Sequence, residues 1–262
     1  MIVSTLTHFT FRFAVLSDRV RLKLAGMQLF VGVDQTDGPT GSVVVSFRGS
    51  EVGRAKPRHK SYDEIRVALQ VLENYIQDLE AGESSGFPDC PNGCRVHSGM
   101  FHTYNSIRSR TVEAILEKLA DNPGALVRAT GHSMGASMVE LLCVDVSLHH
   151  GVRCSTVYTY GTPRSGNQAF VDALASATLP THDVWRVTHW RDPVPHLPPA
   201  LLGYVHATTE VFYNYDFTSV RQCVGPDDKD CCQQFAAVSC LLCCVMEHLS
   251  YMNQSVGQAQ RG

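Results

Sequence analysis

The sequence predicts an α/β fold with a mostly parallel sheet covered by helices on both faces. Short runs of β-branched and aromatic residues alternate along the chain with segments of helical period. At residues 125–148 a strand, a Gly-bounded turn and a helix are packed into one unit. No repeat or linker interrupts the alternation, and 262 residues suit one α/β domain, so residues 1–262 are taken as a single domain.

The elements follow in order. Met27 to Asp34 and Ser42 to Arg48 are strand-like and are separated by the turn-rich Asp37-Gly-Pro-Thr-Gly41, which makes a hairpin. Ser61 with Glu64 forms a capping box, after which Ile65, Leu69, Leu72, Ile76 and Leu79 recur at helical spacing. Ala81 to Cys94 carries Gly, Ser, Pro, Asp and Asn and is expected to be a loop. A second helix runs through Tyr104, Ile107, Val112, Ile115, Leu116 and Leu119 until Asn122-Pro-Gly124 stops it. Ala125 to Thr130 is a short apolar strand, Gly131 to Gly135 a tight turn, and Ala136 to Leu148 a helix. Arg153 to Tyr160, Val184 to His189 and Ala207 to Tyr213 are further strands, with a helix near Asn167 to Ala175 between the first two.

Composition removes several function classes. Apolar residues make up 44% and charged residues 18%, which excludes a largely disordered chain. A net charge of -3 leaves no basic surplus to neutralise a phosphate backbone, so nucleic acid is not an expected partner. The longest apolar run, Phe235 to Met246, is too short to cross a bilayer as a helix. The opening residues lack a basic start, and Arg12 interrupts their apolar stretch, so no secretion signal is recognised. Ten cysteines are many for a cytosolic enzyme, and their clusters at Cys90/Cys94 and Cys223/Cys231/Cys232 look like short-loop bridges rather than metal sites. One C-x-x-C, Cys240 to Cys243, is not a zinc pattern, and no metal or cofactor is expected. Cys143 and Cys154, in a helix-like and a strand-like segment, are expected to be free buried thiols.

G-x-S-x-G occurs twice, at Gly82-Glu-Ser84-Ser-Gly86 and at Gly131-His-Ser133-Met-Gly135. A serine nucleophile of this type needs a strand running into a sharp turn and then a helix, which exposes the hydroxyl and aims the helix N-terminus at the developing oxyanion. Ser133 has that setting, whereas Ser84 lies in a polar loop. Its hydroxyl would need an imidazole to take the proton and a carboxylate to hold that imidazole, in the chain order Ser, acid, His. Asp192 and Asp216 both lie just past a strand, and Asp192 is preferred because Pro193 and Pro195 stiffen its loop. His189 and His196 are too close to Asp192 in sequence to bridge it to Ser133 without strain. The residues alone leave the base between His248, in a loop-like segment far downstream, and His206, at a strand border.

Six ordered segments carry a resemblance: Val44-Val-Ser-Phe-Arg-Gly-Ser50, Val96-His-Ser-Gly99, Gly131-His-Ser-Met-Gly-Ala136, Tyr160-Gly-Thr-Pro-Arg-Ser-Gly-Asn167, Arg186-Val-Thr-His-Trp-Arg-Asp-Pro-Val-Pro-His-Leu-Pro198 and His248-Leu-Ser-Tyr251. The chain resembles the class 3 (fungal-type) lipases of the α/β-hydrolase superfamily, a family that includes triacylglycerol lipases and feruloyl esterases. The resemblance implies Ser133 as nucleophile, Asp192 as orienting acid, His248 as base, and an oxyanion hole at Ser50 and the backbone N–H of Met134. It also implies disulfides Cys90 with Cys94 and Cys223 with Cys231, and secretion. Two segments depart from the family: residues 52–71 stand before the lid-like Asn74-Tyr-Ile-Gln-Asp-Leu79, and residues 235–244 form an apolar, cysteine-rich insertion.

The function expected on this basis is hydrolysis of carboxylic esters, lipid acyl esters first, through an acyl-enzyme. The alternatives are a feruloyl-type esterase and a catalytically silent lipase-like binding or signalling protein. Residues 51–80 leave the strand that ends at Ser50 and are expected to cover Ser133, with the stripe Ile65, Leu69, Leu72 and Ile76 packed on the core or opening at a lipid interface.

Overall fold

A computed structural model describes residues 17–24, 27–49, 83–84, 86–207, 209–223, 225, 227–235, 244–252 and 254–255. Ser50, the helix expected over 61–79, the opening residues 1–16 and the insertion residues 236–243 lie outside the described residues.

The described residues begin with three strands, β1 (Ser17–Leu24), β2 (Met27–Asp34) and β3 (Ser42–Phe47). They pair antiparallel in sequence, with Val31 opposite Val45 across the β2–β3 hairpin. The loop expected over 81–94 contains a two-residue strand, β4 (Glu83–Ser84), which pairs with β5 (Val96–His97). Helix α1 (Ser98–Asp121) is capped by the His97 ring, which accepts the Met100 N–H, and stops before the Pro-Gly pair. Then come β6 (Leu126–His132), α2 (Met134–His150), β7 (Cys154–Tyr160), α3 (Gln168–Ser176) and β8 (Thr178–His189). Asn167 caps α3 through its side chain. The described residues finish with β9 (Glu210–Tyr213), β10 (Val220–Cys223), the short α4 (Val245–His248) and the pair β11 (Ser250–Tyr251) and β12 (Gln254–Ser255).

Among the described residues, eight strands make one sheet in the order β1-β2-β3-β6-β7-β8-β9-β10. The five from β3 to β9 run parallel, and antiparallel strands flank them on both sides. Parallel neighbours need crossovers, and β6-α2-β7-α3-β8 supplies two in succession. Helix α1 packs on β1 to β3 and on α2, α2 on β3, β6 and β7, and α3 on α2 and β8. Every residue of α2 from Met134 to Val146 is buried, as expected for a helix that is apolar nearly all round. Val157 belongs to the large core beneath these helices, whereas its neighbours Tyr158 and Tyr160 point to the other face and join Val187, Val211, Tyr213 and Tyr251 in a second core. That second face receives the segment around His248.

One sequence expectation is overturned. Cys143 and Cys154 are not free thiols but form a disulfide, with Cα atoms 5.8 Å apart. Helix α2 lies directly along β7, so the third turn of the helix stands over the first residue of the strand. Cys90 is bonded to Cys94 and Cys223 to Cys231. No helix among the described residues is long and apolar enough to cross a membrane.

Candidate active site

Strand β6 passes into α2 through a single residue, Ser133, at φ 58° and ψ -130°. A non-glycine residue there is strained, and the strain holds its side chain at the top of the sheet. The bend requires glycine on both sides. A Cβ on Gly131 would stand 2.3 Å from the Gly135 carbonyl oxygen, and one on Gly135 only 2.6 Å from the Phe47 carbonyl oxygen. The Ser133 N–H donates to the Tyr160 carbonyl at 2.9 Å, and its own carbonyl accepts the Ala136 N–H. Its hydroxyl does not cap α2, although it stands at the helix N-terminus. Gly49, the last described residue before Ser50, lies against this turn: a Cβ there would meet Ser133 Cβ at 3.2 Å. Met134 is the first residue of α2, so its N–H follows the serine directly.

Asp192 stands in the turn after β8, 1% exposed. Its oxygens lie 2.9 and 3.0 Å from Nδ1 of His248, and Oδ1 accepts the Val194 N–H at 2.9 Å. The Tyr251 hydroxyl donates to Oδ2. Burial alone would raise the carboxyl, but the His248 charge and hydrogen bond, the Tyr251 hydroxyl and the Val194 N–H outweigh it and hold the group below the usual carboxylate value. The donor set therefore maintains a buried carboxylate. Tyr251 shifts the opposite way, well above the usual phenol value, through its own burial and then Asp192, so it remains a donor.

His248 is 3% exposed. With Nδ1 facing Asp192, its Nε2 is buried and has no hydrogen-bond partner among the described residues. The ring of His132, the residue before Ser133, lies 4.5 Å from the His248 ring at 32°. Gly161, the residue after Tyr160, is pressed against the same group at φ 55°. A Cβ there would meet Asp192 Oδ2 at 2.8 Å, the Tyr251 hydroxyl at 2.9 Å and His248 Cε1 at 3.0 Å. Ser133, Asp192 and His248 are thus gathered at the ends of β6, β8 and α4 around the Tyr160-Gly161 bend.

The other candidates are directed elsewhere. His206 gives Nε2 to the Pro195 carbonyl at 2.6 Å, and burial, then Arg186 and Arg164, hold its pKa well below the ordinary value. It braces the Asp192 loop from behind. Asp216 is tied up in an exposed turn by Thr218 and Asn214. Ser84 sits in β4, and its hydroxyl accepts the Gly86 N–H at 3.2 Å. Sequence reasoning missed Tyr251 and Gly161, although both stand inside matched motifs. It also missed Arg164, whose guanidinium holds the His196 and Pro198 carbonyls, each at 2.9 Å, and so fixes the loop after Asp192. No group of three or more His, Cys, Asp or Glu side chains among the described residues could hold a metal ion.

A family model for lipase (class 3) matches residues 44–202. A lipase of Rhizomucor miehei is 30% identical over 191 residues, 71% of this chain and 50% of that protein. A secreted mono- and diacylglycerol lipase of Fusarium solani is 30% identical over 182 residues, covering 70% and 50%. The chain therefore spans about half the length of these curated relatives. A solved triacylglycerol lipase, described as having a serine protease triad as its catalytic centre, superposes with a TM-score of 0.68 at 27% identity over 92% of this chain and 83% of that one.

Proposed function

The chain belongs to the class 3 lipase family and has its α/β-hydrolase fold, and from that premise we propose that it is a serine carboxylic-ester hydrolase, a lipase that cleaves acylglycerol esters. The observation that carries this reading is the Asp192–His248 pair, which leaves Nε2 of the same ring buried, without a partner among the described residues, beside the residue next to Ser133. In this reading Ser133 Oγ attacks the ester carbonyl carbon while His248 Nε2 takes its proton. The carbonyl π electrons move onto oxygen, where Ser50 and the backbone N–H of Met134 receive the negative charge. Collapse expels the alcohol, which leaves with the proton from His248, and Ser133 is acylated. Water, deprotonated by His248, then attacks the acyl carbon; the fatty acid departs and the serine regains its proton. Asp192 stays ionised throughout and holds Nδ1–H.

Residues 1–262 act as one domain in this proposal, with 52–71 and 235–244 as insertions. The substrate is met at a lipid–water interface, and residues 51–80 are its cover. The disulfides among the described residues and the secreted relative support maturation outside the cytosol. Purified protein is tested on p-nitrophenyl esters of increasing acyl length and on tributyrin across its solubility limit. Hydrolysis that favours longer acyl chains and jumps at the solubility limit supports the lipase. Hydrolysis of short or feruloyl esters alone, without a jump, favours a feruloyl-type esterase, and no turnover of any ester marks a silent relative.

A further inference from the structure

The helix that carries His248 is one turn long, too short to be stable on its own hydrogen bonds. The Asp192 contact fixes only the ring. Two other imidazoles reach the main chain of this turn. Nε2 of His132 lies 2.8 Å from the His248 carbonyl oxygen, and Nδ1 of His189 lies 3.1 Å from the Glu247 carbonyl oxygen. His132 ends β6 immediately before Ser133, and His189 ends β8 three residues before Asp192. Both rings are themselves held. The His132 ring lies tilted against the His248 ring at 4.5 Å and has the Tyr251 ring edge-on at 5.5 Å. His189 stacks on Phe217 at 4.1 Å; its nitrogens face two carbonyl oxygens, Glu247 at 3.1 Å from Nδ1 and Tyr215 at 3.2 Å from Nε2, and the clamp requires the proton on Nδ1.

We propose that His132 and His189 are positioning residues that clamp the two successive carbonyls of the His248 turn, so that the ends of the strands bearing the nucleophile and the acid also set the base. The proposal rests on the triad reading above. Asp192 holds the Nδ1 edge of the imidazole and the clamp holds its Cα, and two separated anchors define a direction where one does not. A carbonyl only accepts, so the bond assigns the proton of His132 to Nε2. Burial, followed by the His248 charge, brings the His132 pKa down to about 3, against the smaller opposing effect of Asp192. His132 therefore stays neutral wherever the enzyme works and does not repel the imidazolium that forms on His248.

The test uses the full chain with His132→Phe, His132→Gln, His189→Phe and His189→Asn. Phenylalanine keeps a ring and loses the donor, while glutamine at 132 keeps an N–H near the place of Nε2 and asparagine at 189 keeps one near the place of Nδ1. The Phe variants are expected to lose roughly 10- to 100-fold in kcat on p-nitrophenyl butyrate with little change in KM, and to be labelled more slowly at Ser133 by a fluorophosphonate in the same proportion. His132→Gln and His189→Asn are expected to recover most of both. Nitrogen NMR of the histidine rings is expected to show His132 as the Nε2–H form at pH 5 and a displaced His248 signal in the Phe variants. Phe variants with wild-type kcat, labelling rate and His248 signal would overturn the clamp, as would losses confined to KM or melting temperature that the amide variants do not repair. If the wild type neither hydrolyses esters nor labels, the enzymatic reading falls instead. The His248 signal alone then decides the clamp: displaced in the Phe variants it stands, unchanged it is refuted.

Discussion

Gly161 shows how little room surrounds the acid and base. A methyl group there would press on Asp192, Tyr251 and His248 at 3.0 Å or less, from a backbone at φ 55° that disfavours any side chain. Gly161→Ala is expected to lower kcat roughly 100-fold by displacing the pair, while the core beneath α2 is undisturbed. Steady-state kinetics with a melting curve checks this, and unchanged kcat would refute the placement. At this scale the sequence named Ser133 and Asp192 from local setting, because an elbow serine and a proline-stiffened acid after a strand are local facts. The base was undecided between His248 and His206 until the resemblance entered, since only the chain crossing over β8 shows which imidazole reaches Asp192. Tyr251 gave no local sign: a donor to a carboxylate 59 residues away has no pattern in sequence.

Strands β8 and β9 are joined through charge as well as main chain. Arg186 and Glu210 stand opposite each other, 1% and 0% exposed as side chains, at 2.9 Å. Glu210 also accepts the Thr188 hydroxyl and the Cys232 N–H, so it ties β8, β9 and the Cys223–Cys231 loop together. Glu210→Ala would leave the guanidinium buried without its carboxylate and is expected to cost about 3–5 kcal/mol, a loss that chemical denaturation measures. A loss under about 1 kcal/mol would mean that solvent reaches Arg186. Strand β1 escaped sequence reading because Arg19, Arg21 and Lys23 alternate with Val20 and Leu22. Those exposed charges suit an edge strand that must not pair further, yet they mask its apolar face. The Cys143–Cys154 bridge was missed for the converse reason: each cysteine looks like ordinary core in its own element, and only the packing of α2 on β7 brings them together.

Across the whole molecule, a buried carboxyl outside the site links stability to pH. Glu140 in α2 accepts the Ser165 hydroxyl, and its burial raises its pKa from 4.5 to about 7 against the lowering effects of Ser165 and Arg186. The folded chain therefore holds this proton when the unfolded chain has lost it. The contribution of this carboxyl to stability is fully present below pH 4.5, falls as the pH rises to about 7, and stays lower above that. The total is of the order of 3 kcal/mol. Glu140→Gln is expected to remove this slope and to melt higher than the wild type at pH 8; parallel melting curves across the range would refute it. The sheet order and the three-way gathering of Ser133, Asp192 and His248 are likewise properties of the whole chain, since strand ends converge only once every crossover is in place. The most direct measurement is therefore a fluorophosphonate label mapped by peptide mass in the wild type, Ser133→Ala, Ser84→Ala and His248→Ala. The label is expected on Ser133 in the wild type and in Ser84→Ala, absent from Ser133→Ala, and nearly absent from His248→Ala. A label on Ser84, or wild-type labelling of His248→Ala, would contradict the assignment of nucleophile and base.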